Sequence, residues 1–123
     1  MRSRPTRPLL LAPVLALTLA GCGAGQGDFC EVLNDNTDLA ATVFTPVIPE
    51  MVDATTVQQR LDLVDQIEDP PSDLEDDLTT WRNYLQKALD NIDDATAVIN
   101  AGTDEVDAAQ EALFDRYTGT CMS

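Results

Sequence analysis

The stretch Pro70–Ile92 reads PPSDLEDDLTTWRNYLQKALDNI, and its pattern decides the fold class. Leu74, Leu78, Trp81, Leu85, Ala88 or Leu89, and Ile92 recur at intervals of three and four, which places them on one face of an α-helix. Pro70-Pro71 ends whatever precedes, because proline lacks an N–H and restricts its neighbour. Ser72 and Glu75 have the spacing of a capping box, and Asp73, Asp76 and Asp77 crowd the first turn, where the helix dipole favours negative charge. The helix is expected to stop near Asp93, or near Asn100 if Ala95 and Ile99 continue its stripe; Gly102 marks a stop by then.

Reading outward, the same period recurs. Val57, Leu61, Val64 and Ile67 form a second stripe behind a capping-box pair, Thr55 and Gln58. A first helix is expected from Asp28 to near Thr42, with Phe29, Val32 and Leu33 on one face and Leu39 and Ala40 about two turns on. A last helix starts at Thr103 or Asp104, turns Val106, Ala109, Leu113 and Tyr117 inward, and ends at Gly119. No segment alternates with period two long enough to make a sheet. The expected fold is all-α, an up-and-down four-helix bundle with short connections.

Between the first two helices lies Val43-Phe44-Thr45-Pro46-Val47-Ile48-Pro49-Glu50-Met51-Val52, in which two prolines forbid a regular helix. It is unusually apolar for a connection. Phe44, Val47, Ile48 and Met51 are therefore the candidate interaction loop. The plainer reading is that Phe44, Val47 and Ile48 fold back and plug the top of the bundle.

The amino terminus carries a different signal. Arg2, Arg4 and Arg7 are followed by an apolar run from Leu9 to Ala20, broken only by Pro13 and Thr18. A basic head, a short apolar run and small residues are the marks of a secretory signal. The run is shorter than the ~20 residues a membrane-spanning helix needs, and no Arg-Arg pair marks the twin-arginine route. Leu19-Ala20-Gly21-Cys22 resembles the bacterial lipobox. That resemblance implies cleavage before Cys22 and a diacylglycerol thioether on it. Each buried methylene adds roughly 0.8 kcal/mol, so two or three acyl chains hold firmly. The chain then divides into a cleaved signal (1–21), a lipidated Cys and flexible tether (22–27) and an acidic helical domain (28–123).

With Cys22 lipidated, Cys30 and Cys121 are the remaining two of three cysteines, one near each end of the domain, in an oxidising compartment. A bridge between them closes a loop worth roughly 4–5 kcal/mol in the chain-entropy model. Four antiparallel helices bring the two ends together, whereas three would leave them more than ~20 Å apart. The disulfide end and Pro70-Pro71 would then face the membrane, and the Val43–Val52 loop and the Ile99–Thr103 turn would face away.

Cleavage removes three of the seven basic residues and no acidic one, taking the formal charge from −15 to −18. Such a surface repels nucleic acid and anionic headgroups, so the domain is expected to stand off the membrane. Basic proteins, cationic peptides or divalent cations are compatible partners, and plain solubility is the bland use of the charge. The sequence has no His, the commonest general base and transition-metal ligand. It also lacks phosphate-loop, serine-nucleophile and zinc spacings. Carboxylates cluster at Asp35/Asp38, Glu68/Asp69, Asp73/Glu75/Asp76/Asp77, Asp90/Asp93/Asp94 and Asp104/Glu105/Asp107, but none has the alternate spacing of an EF-hand loop. No catalytic residue, metal or cofactor is expected. Trp81 and Tyr84 could line a ligand pocket, although at this spacing core packing is the simpler reading.

In outline the mature region resembles small uncharacterised actinobacterial helical lipoproteins, through Cys30, Pro70-Pro71, Trp81, Tyr117 and Cys121. The resemblance implies a cell-envelope location and no assigned activity. The expected function is that of a lipid-anchored, non-catalytic interaction module facing outside the cytoplasm, its partner an unidentified envelope protein. The alternative is a module binding a small ligand or divalent cation.

Overall fold

Prolines, Asp/Asn caps and one glycine cut the chain into short helices. The computed structural model describes residues 27–122. The signal, Cys22 and the tether as far as Gln26 lie outside the described residues. Within them, six α-helices follow in order: α1 (Phe29–Asn34), α2 (Thr37–Val43), α3 (Ala54–Gln66), α4 (Glu75–Asp90), α5 (Ala95–Ala101) and α6 (Asp104–Arg116). A 3-10 turn, Ser72–Leu74, leads into α4, and a π-helical turn, Tyr117–Cys121, ends α6. No strand occurs among the described residues.

The long first helix is in fact two. Asn36 turns its side-chain amide onto the Val32 carbonyl at 2.9 Å, and its backbone N–H bonds Leu33 O at 3.1 Å. These local bonds compete with the helical ladder and end α1. The Phe29 and Phe44 rings then stack with centroids 6.0 Å apart. A continuous helix would hold those residues about 22 Å apart along its axis. The chain therefore folds back between α1 and α2.

The caps also differ from those read from spacing. Asp53 Oδ1 accepts from Thr56 N at 2.8 Å and starts α3, while Gln58 donates instead to Asp62. Ser72 and Glu75 form no capping box, because the 3-10 turn occupies their place and no side chain caps α4. Helix α4 stops at Asp90, where Asn91 bonds its own amide to Lys87 O at 2.8 Å. Asp94 then caps a separate α5 through Ala97 N at 3.1 Å. In α5 the inward residues are Val98 and Ala101, and Ile99 is exposed.

Helix α4 is the organising element and packs against α3, α5 and α6, while α2 covers α3 and α1 lies against the π-helical turn. Trp81, Phe29, Phe44, Leu33, Leu63, Leu85, Leu113, Val43, Val57 and Val98 are fully buried around it. The stripes read from the sequence in α3 and α6 are all inside: Val57, Leu61, Val64 and Ile67, then Val106, Ala109, Leu113 and Tyr117.

One end is closed by covalent and polar ties. Cys30 and Cys121 are disulfide-bonded, 91 positions apart in sequence with Cα atoms 5.0 Å apart. Asp28 N donates to Asp69 O at 2.9 Å, and the Asp28 carboxylate accepts from Glu68 N and Asp69 N, both at 3.0 Å. Gly27 has φ +53°, and a Cβ there would lie 1.6 Å from Asp69 O, so no other residue fits this crossing. Arg116 pairs with Asp73, which ties the end of α6 to the start of α4. The Pro70-Pro71 turn thus lies beside the start of α1, near the disulfide.

Candidate functional site

The Pro-rich segment after α2 cannot satisfy its backbone through a helix, since Pro46 and Pro49 interrupt it. Buried backbone polar groups still need partners. Side chains from three helices supply them. Trp81 Nε1 of α4 donates to Val43 O at 2.9 Å, and Gln110 Nε2 of α6 donates to Phe44 O at 2.7 Å. Arg60 Nη1 of α3 donates to Thr45 O at 3.3 Å, and Val47 N donates to the Tyr84 hydroxyl of α4 at 2.8 Å. Four bonds therefore latch residues 43–47 to the bundle.

This latch divides the sequence-predicted loop residues. Phe44 and Val47 are core residues, 1% and 4% exposed, so neither presents a surface. Their apolar bulk plugs the bundle. Ile48 and Met51 stay outside, 49% and 78% exposed. Ile48 does not join the plug, because the chain turns away at Pro49. Met51 N bonds Ile48 O at 3.1 Å, with Pro49 and Glu50 at the two central positions. Glu50 has φ +72°, the left-handed value that the third position of a type II turn demands. For an L-residue that conformation costs roughly 1–2 kcal/mol. A strained non-glycine residue thus sits at the tip, between the two exposed apolar side chains.

Beside the tip lies an open groove of about 530 Å³ between the loop and the α4–α5 turn. Met51, Val52 and Ile92 give it apolar walls, and Glu50, Asp53 and Asp93 give it carboxylates. The Thr56 N–H bond to its carboxylate holds the Asp53 pKa below the ordinary value.

Trp81 and Tyr84 are buried against each other with ring centroids 4.8 Å apart. Their polar atoms are spent on the loop backbone rather than turned toward a ligand. Burial raises the Tyr84 phenol above its usual range. Burial also lowers the pKa of Arg60, whose side chain is 6% exposed and whose Nε has no hydrogen-bond partner. No group of three His, Cys, Asp or Glu side chains able to hold a metal ion occurs among the described residues.

Arg60 and Gln110 escaped the sequence reading, although one of them left a trace. Arg60 falls at an inward position of the stripe Val57, Leu61, Val64, and a cation there signals a buried polar task. Gln110 sits next to the inward Ala109 and carries no such mark.

No protein-family model, no curated protein and no solved structure matches this chain.

Proposed function

We propose that this protein is a lipid-anchored, non-catalytic protein of the bacterial cell envelope that docks another envelope protein through Ile48 and Met51. The observation that carries the reading is the latch. Four side-chain hydrogen bonds fix the backbone below the turn, so the two exposed apolar side chains are presented on a rigid base. A partner then meets a surface already ordered, which lowers the entropic cost of association.

The anchor rests on the lipobox and on cysteine use. Of three cysteines, Cys30 and Cys121 pair with each other, and Cys22 is left as the thiol for acylation. The absence of His supports the non-catalytic reading. In its finer form we read the fold as an up-and-down arrangement of α3, α4 and α6, with α1 and α2, folded back on each other, packed side by side in the fourth place. The Arg116–Asp73 pair and the Arg82–Asp65 pair at 2.5 Å support antiparallel neighbours for α4.

The test is site-specific photo-crosslinking in the producing cells. A photoreactive residue at position 51 should give one defined adduct, absent when the probe sits at the exposed Glu111. The adduct should fall several-fold when Ile48→Ser is added. Equal labelling at both positions would remove the docking proposal. Intact mass before and after reduction tests the anchor: acyl chains on Cys22 and a gain of about two hydrogens are expected.

A further inference from the structure

A second apolar surface lies beside the disulfide. Asn34, Thr37 and Ala41 form one wall of an open groove of about 480 Å³, and Phe114, Thr118 and Met122 form the other. Phe114 is 39% exposed and Met122 63% exposed. No residue lining this groove is charged, in a chain with 22 carboxylates. Asp35, Asp38 and Asp115 are exposed sequence neighbours that do not line it, and Asp35 and Asp38 line a hollow that adjoins it at Thr37. The groove beside Met51, by contrast, is bordered by three acidic residues. An uncharged groove of this size on so acidic a domain needs a reason.

Its position supplies one. Met122 follows Cys121, whose Cα is 5.0 Å from that of Cys30. Asn34 Nδ2 also bonds Cys121 O at 3.3 Å, which fixes this wall to the disulfide. Cys22 precedes Gly27 by five positions, which bounds their separation at ~18 Å however the chain runs. An acylated Cys22 this close in sequence would hold the disulfide end at an effective concentration in roughly the millimolar range relative to the bilayer. At that concentration a weak contact is enough to set orientation.

We infer that this groove face, with Phe114 and Met122 at its rim, rests on the lipid surface beside the anchor and orients the domain on the membrane. The inference rests on the proposed acylation of Cys22. It also revises the expectation that acidity alone keeps the domain off the membrane. Carboxylate-bearing faces are repelled by anionic headgroups, whereas an uncharged one with aromatic and thioether side chains gains by partial burial. Burying the exposed parts of these two side chains favours the resting orientation by roughly ten- to a hundredfold. Residues 43–44 lie back toward Phe29, but the exposed tip at Ile48 and Met51, next to the start of α3, is then turned away from the bilayer.

The two described methionines make the test direct, since Met51 marks the loop and Met122 marks this face. The protein recovered from its own membranes, with methyl-labelled Met, is placed in phosphatidylcholine nanodiscs carrying a headgroup-spin-labelled lipid. The Met122 methyl signal should broaden several-fold more than that of Met51. Phe114→Ser should reverse most of that difference while leaving the Met51 shift unchanged, which reports an intact fold. Three results would overturn the inference: both signals sharp, Met51 broadened as much as Met122, or a Met122 shift that depends on protein concentration without lipid. The last would assign the face to a second copy. If the recovered protein carries no acyl chain, the anchor reading fails. The same spectra, taken with Cys22 coupled to a maleimide lipid, then decide the face independently.

Discussion

Tyr84→Phe removes one oxygen and leaves the ring in place, so it isolates a single bond of the latch. The lost acceptor is the partner of Val47 N at 2.8 Å. Val47 is 4% exposed, so water does not replace it. A buried donor left without a partner costs about 1–3 kcal/mol. A domain of this size has a total stability of about 5–15 kcal/mol, and the variant should therefore still fold. Urea unfolding followed through Trp81, the single tryptophan, is the assay. With a slope of about 1–2 kcal/mol per molar, the midpoint should fall by roughly 1 M at unchanged slope. The Val47 amide should also lose its hydrogen-exchange protection. Alkali adds a second check. Burial raises the Tyr84 phenol, so the folded state resists its ionisation, and stability falls as pH climbs from the unfolded value of about 10 through the raised folded one. The variant's phenyl ring has nothing to ionise, and the gap between the two proteins should narrow there. A loss within the roughly 0.5 kcal/mol of an ordinary surface change, with Val47 still protected, would refute the latch.

Other perturbations read other parts of the structure. Cys30→Ser with Cys121→Ser should cost about 4–5 kcal/mol in urea unfolding, because the closed loop spans nearly the whole domain. A loss below about 1 kcal/mol would mean that the bridge does not restrict the unfolded chain. Glu50→Gly relieves a positive φ but adds backbone entropy to the unfolded state, so thermal unfolding should show a gain of about 0–1 kcal/mol. A clear loss would argue that the Glu50 side chain itself stabilises the turn. Asp77 has its pKa raised by burial first and by Asp76 and Asp73 next, so its charge disfavours the folded state. Asp77→Asn should therefore gain a few tenths of a kcal/mol at neutral pH, solvent screening keeping it small. That gain should vanish as pH falls through the raised folded value toward the unfolded value of about 3.9. A gain independent of pH would point to packing instead.

The periodicity of α3, α4 and α6 was legible in the chain, because each helix buries one face and a buried face leaves apolar residues at fixed intervals. Val57, Leu61, Val64 and Ile67 illustrate this, as do Leu74, Leu78, Trp81 and Leu85. The pairing of Cys30 with Cys121 was legible for a related reason, since the proposed acylation of Cys22 leaves two thiols. Boundaries were less visible. Asp53, Asp94 and Thr103 cap their helices, but Ser72 offers an equally good pattern and caps nothing, because the 3-10 turn has taken its place. Whether α1 and α2 make one rod or two depended on Asn36 bonding back to Val32, a local hydrogen bond that leaves no period in the sequence.

For the candidate site the division falls inside one loop. Composition alone showed that residues 43–52 are apolar and cannot be helical. It could not say which of Phe44, Val47, Ile48 and Met51 faces water. That was decided by Trp81, Gln110, Arg60 and Tyr84, which reach the loop backbone from three helices distant in sequence. Helical periodicity records what one helix buries along its own length. A hydrogen bond to another segment's carbonyl leaves no such period, and so it exists only once the helices have packed.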